Sequence, residues 1–291
     1  MELGFVLLTH GNQPQSLKLI HTLNTMFQYP KIVIHHDFSK CTFDKDMFSD
    51  NVTFVEDFVV TSWGGFSLIS AMMKAIKLML SSDDCPNWVK VLSANDYPIK
   101  QAEDIIERFA DSNADVFIGY RKLDYNNLEE RWKKNYYQRY CGINFVFKSQ
   151  WLKNGKPIQM PIFKAPFITK HFLPFSSVLP CYIGSQWFTA NRKAMRYLLA
   201  FYESRNSIVR HFEKVKIPDE AFCQTIFCNA SDLVVENNNL RYVDWSEGKP
   251  HPKTLNQYDY QNIIDSDALF ARKFDLVSSQ ELYMMIDKTI M

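Results

Sequence analysis

The groups best suited to chemistry in this 291-residue chain are few and scattered. Glu220 follows Pro218-Asp219 at the start of an expected helix, where a carboxylate suits the dipole and, aimed into a cleft, serves as a general base. Arg272 and Lys273 are adjacent cations suited to an anion, the lysine as a point charge and the arginine as a fork. As chain neighbours they are expected to point in different directions. Trp63 and Trp245 offer rings that either stack on a base or sugar or fill core. Signals for a metal are weak. Asp44-Lys45-Asp46 has the Asp-X-Asp form used by metal-dependent sugar-nucleotide transferases, but its polar surroundings read as a solvated loop, and Asp265-Ser266-Asp267 reads as a helix-start device. His35 and His36 alternate to opposite faces of a strand. The six cysteines form no CxxC pair and read as reduced, semi-buried residues. GxGxxG, Walker, GxSxG and HExxH motifs are absent, so the expectation is no metal and no cofactor.

The elements that must position these groups alternate over the first 120 residues. Strands are expected at 4–9, 31–36, 52–55, 88–93 and 115–119, and helices after Pro14, at 66–80 and at 101–109. This alternation predicts a mainly parallel sheet covered by helices. Ligands of such sheets sit at the carboxyl ends of the strands, where His10, Asp37, Asn95 and Asp96 fall. Further on, the pattern predicts a strand at 182–189, a helix at 192–201, a helix from Pro218, a strand at 240–245 and a terminal helix at 279–290. With no repeat and no linker-like stretch, the chain reads as one domain, 1–291. Within it three stretches follow one another: 1–120, a basic aromatic insertion at 121–180, and 181–291.

Apolar residues make up 46% and charged residues 22%, which excludes wholesale disorder. No apolar run approaches the length of a membrane span. Met-Glu-Leu-Gly-Phe enters strand-like sequence at once, with neither a basic n-region nor a cleavage site, so the expectation is a cytoplasmic protein. Residues 131–202 hold twelve of the 33 Lys and Arg, none of the 32 Asp and Glu, and 17 of the 43 aromatics. No nucleic-acid partner is expected, since no RNA- or DNA-binding motif accompanies this charge. Within the stretch, Ile162 to Leu173 mixes Phe163, Phe167 and Phe172 with Lys164, Lys170 and His171. Two readings stand: aromatics filling a core beneath a cleft, or a segment lying peripherally in the headgroups of an anionic inner membrane face.

Several strings occur in a fixed order: Phe5-Val-Leu-Leu-Thr-His10, Ile34-His-His-Asp37, Ser62-Trp-Gly-Gly-Phe-Ser67, Leu92-Ser-Ala-Asn-Asp-Tyr-Pro-Ile-Lys100, Glu130-Arg-Trp132, Gly184-Ser-Gln-Trp-Phe188, Pro218-Asp-Glu220, Tyr242-Val-Asp-Trp245 and Leu269-Phe-Ala-Arg-Lys-Phe-Asp275. Taken together over residues 3–276, they resemble the core-2/I-branching β-1,6-N-acetylglucosaminyltransferase family, relatives of the peptide O-xylosyltransferases. The resemblance implies an α/β, GT-A-like, mixed and mainly parallel sheet flanked by helices. Within that fold it implies a nucleotide-binding half at 1–120 and an acceptor and catalytic half at 181–291. It also implies inverting, metal-independent transfer of a sugar, N-acetylglucosamine first and xylose or a hexose second, from a UDP-sugar donor. The companion alternative is a binding module of the same fold without catalysis.

By the same resemblance Glu220 is the general base and Lys273 and Lys253 hold the donor diphosphate, with Arg272 beside them. Arg131 and Trp245 lie on the acceptor side. His10, Asp37, Trp63, Asn95 and Asp96 are the remaining donor-binding candidates. Where the core-2 enzymes place a further acceptor-binding acid and lysine, this sequence has Tyr120 and Leu128, a departure from a mucin-type acceptor. With a cytoplasmic location, the expected acceptor is a bacterial surface glycan or a lipid-linked oligosaccharide.

Overall fold

The computed structural model describes residues 1–81, 84–124, 126, 129, 133–147, 158–163 and 172–291. Its centre is β1 (Leu3–Thr9), whose Gly-Phe-Val-Leu-Leu run is buried on both faces, as a strand in the middle of a parallel sheet must be. Helix α1 (Gln13–Phe27) starts with Pro14 in its first turn and the Asn12 side chain capping the Gln15 amide. It returns the chain to β2 (Ile32–His36), and β3 (Val52–Phe54) follows. Helix α2 (Ser67–Leu80) leads to β4 (Trp88–Ser93), β5 (Asp96–Pro98), α3 (Ala102–Ala110), β6 (Val116–Ile118) and β7 (Arg121–Lys122). A π-helical turn, Lys133–Tyr137, runs into α4 (Gln138–Cys141), and the hairpin β8 (Ile143–Phe147) and β9 (Ile158–Phe163) follows. Next come β10 (Tyr182–Ile183), β11 (Phe188–Asn191), α5 (Arg192–Glu203), α6 (Ser207–Phe212) and α7 (Phe222–Cys228). The chain ends with β12 (Val235–Glu236), β13 (Arg241–Val243), α8 (Tyr260–Ile264), β14 (Phe270–Arg272) and α9 (Gln280–Ile290).

The main sheet has the order β12-β6-β11-β4-β1-β2-β3. Only β11 runs against its neighbours, so the sheet is mixed and mainly parallel, within one domain. Alternation along the strands splits the core in two. Val6, Val33, Val89 and Val91 pack against α2, α5, α6 and α7, while Phe5, Leu7, Ile32 and Ile34 pack against α1, α3 and α9.

The structure differs from the sequence reading in several elements. The single strand expected at 182–189 is two strands in different sheets, β10 pairing with β7 and β11 with β4 and β6. Gly184 makes the break: a Cβ there would lie 1.9 Å from the Gly119 carbonyl, so only glycine allows this approach. Residues 94–98 and 269–275, given no strand from the sequence, contain β5 and β14, and with β13 these form a second sheet in the order β13-β14-β5. This small sheet gathers Asp96, Arg241 and Arg272. Of the segment 162–173, Phe172 is 73% exposed, so that ring fills no core. Lys164, Phe167, Lys170 and His171 lie outside the described residues, as do Leu128 and Arg131. Among the described residues, no helix is long and apolar enough to cross a membrane.

Candidate active site

A cleft of about 680 Å³ opens where the small sheet meets the strap that carries Glu220. Its walls include Trp63, Asp219, Glu220, Trp187, Arg272 and Trp245. The strap is a 3-10 turn, Pro218–Glu220, separated from α7 by the non-helical Ala221. Three elements hold it. The Gly64 carbonyl accepts from the Ile217 amide at 2.8 Å, the Tyr140 hydroxyl donates to the Ile217 carbonyl at 2.7 Å, and the Gly184 amide donates to the Glu220 carbonyl at 2.7 Å. Between them Ile217 sits at a φ of 57°, a conformation that β-branched residues rarely adopt and that costs about 1–3 kcal/mol. Strain of that kind persists only where surrounding contacts over-determine it, as these do. The Gly residues of the Ser62-Trp-Gly-Gly and Gly184-Ser-Gln-Trp strings thus position the carboxylates.

The Glu220 carboxylate meets Arg139 Nη1 at 3.4 Å through Oε2. Burial raises its pKa above the ordinary value, against the opposing pull of Arg139 and Tyr140. Asp219 beside it has a buried Oδ1 without a partner among the described residues. Burial first, then the charge of Glu220, push the Asp219 carboxyl up to about 7. The folded chain therefore keeps this proton from about pH 4 to 7, where the unfolded chain has already released it, and stability falls as pH rises through that window. Asp219→Asn cannot ionise, so its stability at pH 4 should match the wild type, and at pH 8 it should be about 2–4 kcal/mol higher. Urea denaturation at the two pH values measures this. Equal stabilities at pH 8 would show that Asp219 ionises without penalty.

Across the cleft lie two guanidiniums. Arg241 is buried in an ion pair with Asp96 at 2.7 Å, and its Nη2 donates to the Val91 carbonyl. Desolvation lowers its pKa to about 10, so it stays charged at neutral pH. Arg241 and Arg272 both lie over the Trp187 ring, at 5.2 and 4.8 Å from its centroid. Arg272 lines the cleft with Nε and Nη1 buried and without protein acceptors among the described residues. Buried donors of this kind are satisfied by water or by a ligand, and an anion fits a cation best.

Lys273 faces the other way. Its charge acts on His10 and Asp275, and its ammonium has no hydrogen bond or ion pair among the described residues. His10 follows β1, and its pKa is lowered by desolvation first and then by Lys40, with Lys273 acting in the same direction. Asn95 pins this segment: its side chain donates to the Phe274 carbonyl at 2.8 Å, and its carbonyl accepts from the Phe274 amide. Arg272 and Lys273 therefore straddle the boundary between the cleft and the carboxyl ends of β1, β2 and β4.

The structure brings Glu220, Trp63, Trp245 and Arg272 to one cleft, while Lys273 and His10 lie close enough to interact but are not among its walls. It does not bring Lys253 there. That ammonium is 2.5 Å from Asp259 and 3.6 Å from Asp244, so two carboxylates already neutralise it, while its neighbours His251 and Pro252 line the cleft instead. Asp37 is fully buried, with its oxygens taken by Ser39, Thr61 and Lys40, and Asp96 is occupied by Ser93 and Arg241. Both carboxylates shape loops rather than face a ligand. Among the described residues no group of three or more His, Cys, Asp or Glu is placed to share a metal ion.

The model of the Core-2/I-Branching enzyme family matches residues 3–267. The chain belongs to the Core-2/I-Branching enzyme family. It is 22% identical to beta-glucuronosyltransferase GlcAT14B of Arabidopsis thaliana over 77% of this chain and 49% of that protein. It is 25% identical to xylosyltransferase 1 of Rattus norvegicus over 99% of this chain and 35% of that protein. The chain thus spans about half the length of the first relative and about a third of the second. Among solved structures it is similar to apo mouse xyloside xylosyltransferase 1, at a TM-score of 0.42 and 8% identity over 93% of this chain and 97% of that one.

In this Core-2/I-Branching chain, sequence reasoning missed Arg139, Trp187 and Arg241. Trp187 stands inside the Gly184 string and Arg241 just before the Tyr242 string. An arginine entering an otherwise apolar late strand was the available signal for Arg241, because a buried charge needs a partner. Arg139 had no signal, as one cation in a basic stretch.

Proposed function

We propose that the chain is a metal-independent, inverting glycosyltransferase that moves a sugar from a UDP-sugar to a glycan hydroxyl, with Glu220 as the general base. The observation that carries this reading is the cleft, with a clamped carboxylate among its walls and a guanidinium edge that has no protein acceptors among the described residues. In the reaction the acceptor oxygen attacks the anomeric carbon as its proton passes to Glu220. The new glycosidic bond forms as the bond to phosphate breaks, and the electron pair leaves on UDP. Arg272 and Lys273, rather than Lys253, are the cations proposed to hold the diphosphate as that charge grows; positioned charges stabilise it without reorganisation. Trp63 and Trp245, 59% and 56% exposed, offer apolar platforms for sugar rings.

For the donor, relatives named as xylosyl- and glucuronosyltransferases favour UDP-xylose or UDP-glucuronic acid over the UDP-N-acetylglucosamine that the resemblance placed first. The acceptor is proposed as a glycan, in free or lipid-linked form. UDP release from these three donors, with a chelator present, tests the reading.

A further inference from the structure

The acid-free stretch brings Arg139 to the general-base candidate. Helix α4 is bound to the strap and to α6: Tyr140 donates its hydroxyl to the Ile217 carbonyl, and His211 Nε2 on α6 holds the Tyr140 carbonyl at 2.8 Å. Arg139 is thereby fixed between the Tyr136 and Tyr140 rings, at 5.1 and 5.7 Å from their centroids. Its guanidinium is 23% exposed and faces Oε2 of Glu220. The ion pair with Arg139 is made through Oε2 and not through Oε1.

We infer that Arg139 is the positioning residue of the general base, holding Glu220 ionised through Oε2 and leaving Oε1 to take the acceptor's proton. This rests on the reading of Glu220 as the base. The physical need is plain. A carboxylate drawn into a cleft tends to protonate, and a protonated Glu220 accepts nothing. Tyr140 acts in the same direction through a hydrogen bond but brings no charge, and the remaining groups around Glu220 do not supply this help. Asp219 on its own turn is a like-charged neighbour when ionised. Tyr140 keeps its proton, because burial raises its pKa well above the ordinary value. Tyr136 also lines the cleft. Arg121, Arg241, Arg272 and His251 line it as well, and no ion pair between any of them and Glu220 is recorded among the described residues. A diphosphate drawn to that wall would offset their charge, whereas Arg139 contacts the carboxylate directly.

An opposite charge at this range shifts a carboxylate by about 1–3 pH units, and the 38% exposure of the Glu220 side chain favours the low end. The test is a carbon-13 NMR titration of glutamate side-chain carboxyls in the full chain without ligand, with Glu220→Gln identifying the resonance. In Arg139→Gln the Glu220 midpoint should rise by about one unit. In Arg139→Lys, which keeps a cation of shorter reach and is milder for folding, it should rise by less. The acid limb of kcat/KM for UDP release should move up with the midpoint, giving about a tenfold loss below the limb and none above it, at unchanged UDP affinity. A midpoint that stays in place in both variants, or a loss of activity uniform across pH, would overturn the inference and make Arg139 merely structural. That outcome differs from failure of the base itself, which would appear as wild-type turnover by Glu220→Gln.

Discussion

Glu220→Gln should lower transfer by about 10²- to 10⁴-fold while leaving UDP affinity near that of the wild type. The amide keeps the volume of the side chain and its place on the strap, so Ile217, Tyr140 and Gly184 should hold the backbone as before. It cannot take the acceptor's proton, and the attacking oxygen would have to carry that proton into the transition state. Rates with saturating donor, set beside UDP affinity from calorimetry, separate chemistry from binding. Turnover within a factor of about three of wild type would remove Glu220 from the mechanism. Equal losses in turnover and UDP affinity would instead indicate a collapsed cleft.

Asp96→Ala should be the most destabilising single change at the site. Asp96 and Arg241 are both fully buried at the side chain, and the Asp96 carboxylate also accepts from the Ser93 amide and hydroxyl. Removing it leaves the Arg241 guanidinium buried near Lys90 and Arg272 with no counter-charge. Breaking a buried pair in this way costs about 3–5 kcal/mol, because the remaining charge stays desolvated. For a domain of this size the melting temperature should fall by roughly 5–15 °C. UDP affinity should weaken too, since Arg241 shares the Trp187 face with Arg272. Calorimetric unfolding of the variant decides this. A loss below about 1 kcal/mol would mean that water reaches Arg241 and that the pair is not a buried one.

Much of this was legible in the sequence for reasons that can be named. The Phe5 to Leu8 run gave a strand because only a strand buried on both faces uses four apolar residues in a row there. Periodicity puts Leu17, Ile20, Leu23, Met26 and Phe27 on one face of α1; Ile20 and Leu23 lie in the core and Met26 and Phe27 pack against it, but Leu17 is only half-buried and Leu19 is the core residue of that turn. Elements whose state depends on neighbours were less visible. β14 contains an arginine and is a strand because β13 and β5 flank it. The 182–189 segment looks continuous, yet the approach of Gly184 to Gly119, a tertiary fact, divides it.

The site divides along the same line. Glu220, Arg272 and Trp245 were found because short ordered strings carried them, and all three line the cleft. Lys253 was placed by spacing, which cannot register that Asp244 and Asp259 fold against it. Arg139 stands 81 residues from Glu220, and no local pattern encodes a pair at that separation.

The central claim is that cations of the chain itself, not a divalent ion, support departure of UDP from a UDP-sugar. Its most direct test is UDP release by the purified chain from UDP-xylose, UDP-glucuronic acid and UDP-N-acetylglucosamine, with and without excess EDTA. At least one donor should be turned over, at a rate that EDTA leaves unchanged, and Arg272→Ala should slow that rate. Release that stops in EDTA and returns with manganese, or no release from any of the three, would contradict the claim.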